Sequence, residues 1–165
     1  MTLIELLIVI VVIGILMVVA VSAVRQARAS ANESSAVTSL KLILQAQTSF
    51  SAACGAGGFA PLLATLGEQP PAGGTGFLDG SLASDPAVRS GYTMQLQTPG
   101  DAIIVGKDCH GLLTFSRFYA SGQPLAFGSS GNTAYAVTET GAIWGQNAAT
   151  PPTEPFGPPA TVVSK

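Results

Sequence analysis

From Leu6 to Val24 the chain runs for 19 residues without a charged side chain, as "LLIVIVVIGILMVVAVSAV". No other feature limits the fold as much. Coiled into a helix, the run spans roughly 28 Å, about the hydrocarbon thickness of a bilayer. Between Thr2 and Ser22 every side chain is aliphatic apart from one methionine, one glycine and Glu5. A buried, unpaired carboxylate costs several kcal/mol or is driven to protonate, so Glu5 calls for a partner. One lies close by: "TLIE" is formally a capping box, with Thr2 as the cap and Glu5 reaching back. A cleaved signal peptide fits the run poorly. No basic region precedes it, it exceeds the usual apolar length, and no clear small-residue cleavage site comes before Arg25.

The helix is expected to continue past the apolar run, because "RQARASANESSAVTSLKLILQAQTSFSAAC" holds neither glycine nor proline. Ala36, Val37, Leu40, Ile43, Leu44 and Phe50 recur at helical spacing, while Arg25, Arg28, Asn32, Glu33 and Lys41 fall largely off that stripe. One helix over residues 1–53 follows, roughly 80 Å long, apolar all round over 1–24 and amphipathic above. Its lower half has nothing in its own chain to pack on, so it expects lipid or neighbouring helices.

After Cys54 the composition turns to Gly and Pro, and residues 54–91 read as a long connection with a short helical turn near Pro61–Leu66. Strand signals follow over 92–146 in "YTMQLQ", "AIIVG", "LLTFSRFYA", "TAYAVTET" and "GAIWG". Tyr92, Met94 and Leu96 alternate with polar neighbours, and Phe115 and Phe118 frame a stretch in which Arg117 faces away. The expectation is an α+β fold: an antiparallel sheet of about four strands, one face packed on the upper helix stripe. Residues 147–165 are proline-rich and should run extended over a surface.

"TLIELLIVIVVIGIL" with Glu5, then an amphipathic helix, a variable loop and an antiparallel sheet, resembles a mature type IV pilin or its type II secretion pseudopilin relatives. The motif resemblance covers residues 1–24, and the rest is architectural. The resemblance implies a pilin-like packing of helix on sheet. It also implies a prepilin peptidase that cuts ahead of Met1 and methylates the new amine, which keeps its charge. In that register the Met1 amine of an incoming subunit meets Glu5 of the previous one, and neutralising the pair selects where subunits leave the membrane. The family often has a proline at position 22, where this chain has Ser22. In the family the segment around Gly14 and Ser22 can lose helical structure in the filament; the alternative is small residues admitting close helix contact.

The implied function is that of a major pilin, the structural subunit of a type IV pilus-like extracellular filament. Its partners are further copies of itself, the inner-membrane pilus assembly machinery, the prepilin peptidase, and membrane lipid before assembly. It would lie in the inner membrane first and in a cell-surface filament afterwards. Adhesion, twitching motility and DNA uptake are roles of such filaments as whole machines. Two alternatives stand beside this: a pseudopilin of a type II secretion system, and a single-pass anchored extracytoplasmic binding domain. In a secreted, charge-poor domain the two cysteines, Cys54 and Cys109, favour one disulfide closing the long loop.

Nothing in the sequence marks an enzyme, a metal site or a cofactor. His110 is the single histidine, and no CxxCH motif is present for covalent haem. Asp79, Asp85, Asp101 and Asp108 lack the spacing of a calcium loop. "NES" at Asn32 meets the minimal glycosylation pattern, a frequent one. A net charge of −2 argues against direct nucleic-acid binding by phosphate neutralisation. Phe50 is the lone aromatic before Cys54, so filaments of this subunit are expected to be insulating.

Overall fold

The absence of proline before Pro61, with Gly14 as the single glycine before Gly55, lets one helix run on without a break. The structure, a computed structural model, describes residues 2–164, and only the backbone of residues 18–20. Helix α1 spans Leu3–Ala53, 51 residues. It ends where glycines begin: the N–H groups of Cys54 and Gly55 both donate to the Phe50 carbonyl, and Gly57 has φ +87°. A short helix α2 covers Leu63–Gly67.

Eight strands follow: β1 Ala87–Arg89, β2 Tyr92–Gln97, β3 Ile104–Lys107, β4 Leu113–Phe115, β5 Tyr119–Pro124, β6 Ala134–Thr138, β7 Ile143–Gln146 and β8 Thr161–Ser164. Six form one antiparallel sheet in the order β1-β2-β5-β6-β7-β8, and β3 pairs with β4 as a separate hairpin. The fold is therefore α+β, a long N-terminal helix with an antiparallel sheet. It departs from the expected sheet in three places. "LLTFSRFYA" is not one strand but two, β4 and β5, because the chain leaves the hairpin at Ser116 and enters the main sheet at Tyr119. Inside the long connection, β1 pairs with β2 through a two-residue turn, Ser90–Gly91, with φ +48° and +73°, the primed geometry that suits tight hairpins. The proline-rich tail does cross a surface, but it closes as β8 on the edge of β7.

The core lies where the helix stripe meets the sheet. Ala36, Leu40, Ile43 and Phe50 are fully buried, with Val37 and Leu44 partly so. Facing them, alternation in β2 turns Tyr92, Met94 and Leu96 inward, and the register brings Ala120, Val137 and Ile143 to the same face. Gly122, opposite Met94, has to be small, since a Cβ there would stand 3.0 Å from the methionine sulfur. Leu63 and Leu66 of α2 close the top of this core.

Polar groups on the helix tie down the loops. The Gln47 amide is fully buried; it donates to the Ala60 carbonyl (2.8 Å) and accepts from the Ala60 N–H (2.9 Å). Asn32 donates to the Ser130 carbonyl (2.9 Å), and Glu33 accepts from the Asn132 N–H (2.7 Å). The Asn32 amide of the "NES" pattern is thus turned into the head rather than presented.

Candidate functional site: the apolar half of the long helix

A threonine in extended backbone (φ −89°, ψ 153°) caps α1. Its hydroxyl oxygen accepts from the Glu5 N–H (3.4 Å), while its own N–H donates to Glu5 Oε2 (3.3 Å). The capping box written in "TLIE" is therefore formed, and Glu5 satisfies a helix-end donor within its own chain. The second carboxylate oxygen, Oε1, has no partner among the described residues, and the side chain is exposed. Met1, whose amine the resemblance pairs with Glu5 of a neighbour, lies outside the described residues.

Above this turn, every described side chain from Leu3 to Arg28 is exposed, and Ala29 is the first buried residue of the helix. Leu6, Ile10, Ile13 and Leu16 stand on no part of their own chain, at 46–63% exposure. Among the described residues this is the one helix long and apolar enough to cross a membrane, as an anchor or a signal sequence would. Gly14 has open space around it and Ser22 lies mid-helix; α1 passes through both without interruption.

At the other end, Cys54 caps the helix and is joined to Cys109 by a disulfide, with Cα atoms 4.9 Å apart. The Cys109 N–H also donates to the Cys54 carbonyl (2.9 Å). His110 Nε2 lies 3.1 Å from the Gln69 carbonyl, which fastens the irregular connection beside the disulfide. The one group of residues close enough to ligate a metal among those described is Cys54, Cys109 and His110, and its sulfurs are bonded to each other. The four loop aspartates have separate tasks. Asp79 accepts from Ser81 N–H, Asp85 from Ala64 N–H, and Asp108 from the N–H groups of His110 and Leu112. Asp101 binds Arg117.

In the sequence Arg117 reads only as a charge facing away from the core. The structure makes it a junction: it bonds Asp101, Glu139 (2.9 Å) and Glu154 (2.5 Å), holding the tail to the sheet. Outside the sheet, Phe156 of the tail stacks between Trp144 (centroids 5.4 Å apart) and Tyr119 (6.4 Å). The Tyr119 hydroxyl donates to the Pro152 carbonyl (2.6 Å), and burial, then the nearby Glu154 carboxylate, push its pKa up to about 12. Beside this stack a groove of about 380 Å³ is floored by Gln95, Tyr119 and Ser121 and walled by Pro151.

Two surfaces therefore stand out, an apolar rod below and a sheet wrapped by its own tail above. Comparisons with protein-family models, with characterised proteins and with solved structures find no match.

Proposed function

We propose that this chain is a structural subunit of a type IV pilus-like extracellular filament, with the pilin-like packing that its first 24 residues and its element order suggest. One observation carries the reading. The lower half of α1 is apolar on every described side and uncovered, yet continuous with the helix whose stripe forms the core of the head. Lipid covers that surface before assembly, and the same segment of neighbouring copies covers it afterwards. Glu5 is the only charged side chain in the lower segment, and its second oxygen is the acceptor for an amine of the next subunit.

The capping box favours a second reading specifically, a single-pass anchored extracytoplasmic domain, because it gives Glu5 a task that needs no neighbour. Three substitutions separate the two. Glu5→Gln keeps a capping acceptor and loses the charge, Glu5→Ala loses both, and Thr2→Ala weakens the cap alone by about 1 kcal/mol. Membrane-fraction protein should be retained in all three. In negative-stain images of sheared surface material, filaments should be lost or sharply reduced in both Glu5 variants and persist in Thr2→Ala. Normal filaments from Glu5→Gln would remove the charge pair from the mechanism. Wild-type cells without long filaments would favour the pseudopilin or the anchored domain instead.

A further inference from the structure

The loop between β5 and β6 carries two large apolar side chains that the head leaves outside: Leu125 is 59% exposed and Phe127 49%. No Asp, Glu, Lys or Arg occurs from Phe118 to Thr138, so nothing charged within this stretch shields them. Nor is the loop slack. Ser130 Oγ takes a bond from the Ala126 N–H (3.0 Å) and gives one to its carbonyl (3.1 Å), and the Gly128 N–H donates to the Gly131 carbonyl (2.9 Å). Asn32 and Glu33 bolt its far side to α1.

Its height along the helix is what matters. Gly128 and Asn132 line one cavity together with Val21, Ser22, Arg25 and Ala29. The uncharged run ends at Val24, so this loop comes down beside the last turn of the apolar segment. From Glu5 to Arg25 the helix rises about 30 Å, one hydrocarbon thickness, which places Arg25 at the level where acyl chains give way to headgroups. A rigid loop at that level, uncharged and bearing a leucine and a phenylalanine, has the chemistry of an interfacial anchor.

We propose that Leu125 and Phe127 dock into the headgroup–acyl boundary of the bilayer while the subunit is membrane-inserted, giving the head a second attachment to lipid. This rests on the membrane-inserted state that the proposed function requires before assembly. The alternative occupant, a second copy of the chain, is an outcome of the test.

The test uses the full chain in phosphatidylcholine–phosphatidylglycerol vesicles. Trp144 is the only tryptophan, so the wild type reports the outer face of the sheet, and the double variant Trp144→Phe, Phe127→Trp reports the loop. With lipids brominated near the headgroup end of the acyl chain, the double variant should lose roughly half its tryptophan emission, as an anchor seated 5–10 Å deep would. Mid-chain bromines should quench it less, and Trp144 of the wild type should be unaffected. Unquenched emission at the wild type's wavelength would overturn the proposal. So would a blue-shifted but unquenched signal, which would mean cover by protein. Failure of the wild type to float with vesicles would overturn the membrane-inserted state and this proposal together. Should the double variant misfold, judged by protease resistance, Leu125→Trp in the Trp144→Phe background gives the equivalent readout, with the same two outcomes.

Discussion

Gln47 occupies a turn position where the stripe on α1 would accept an aliphatic side chain, four residues after Ile43 and seven after Leu40. Spacing alone puts it on the buried face; what spacing does not disclose is that Ala60, thirteen residues later, brings a backbone N–H and carbonyl to meet it. Gln47→Leu would keep the volume and strand both groups in the core. Each buried, unpaired backbone group costs about 1–3 kcal/mol, so a total loss of about 2–6 kcal/mol is expected for the two, read as a lower urea midpoint. The tyrosines give a second test at this scale. Burial raises all three hydroxyl pKa values, of Tyr92, Tyr119 and Tyr135, with Glu33 adding to the rise at Tyr92 and Tyr135 and Glu154 at Tyr119. Because the folded values exceed the unfolded one, the stability they contribute is complete below about pH 10 and is lost as pH climbs through the folded values. Phenolate absorbance should therefore stay low at pH 10 and rise near pH 12 for Tyr119, together with the loss of near-ultraviolet circular dichroism. Ordinary titration of all three near pH 10 in folded protein would contradict the packing.

Among the elements, the disulfide sets a clear expectation. Cys54 ends the helix and Cys109 lies 55 residues on, so the bond closes a loop worth about 4 kcal/mol in the chain-entropy model. Non-reducing peptide mapping should recover the Cys54–Cys109 pair, and Cys54→Ser with Cys109→Ser should destabilise by about that amount. Both thiols alkylating without reductant would refute it. The helix, its stripe and β2 are legible in the sequence because a period of 3.6 or 2 is sustained over enough residues to be unambiguous. The strands β1 and β8 are not, for different reasons. β1 is three residues long and is created by its partner through the Ser90–Gly91 turn, while β8 is held against β7 by a tail whose prolines mask its "TVVS" ending. The split of "LLTFSRFYA" is hidden too, since alternation says which face a residue takes and not which sheet receives it. Of the candidate site, the capping box and the cysteine pair can be read from short spacings and composition. The Arg117 junction and the position of the β5–β6 loop cannot, because both depend on segments far apart in sequence.

For the whole molecule, the uneven division of α1 is the governing fact. Its upper half is part of a domain, and its lower half is a rod with no fold of its own to join. The rod also gives the head mechanical leverage. Gly14 is the one interior glycine of α1, with open space around it. Glycine holds a helix about 1 kcal/mol less firmly than alanine, so a bend of, for illustration, about 20° would cost least there. From Gly14 to Ala36, where the helix enters the core, the axis rises about 33 Å, so such a bend swings the head sideways by roughly 11 Å. A few degrees of dihedral adjustment in one turn would thus move the head by more than the width of a side chain without breaking a single contact inside it. In a polymer of such subunits, curvature and extension would be absorbed in the rods while the heads stayed rigid.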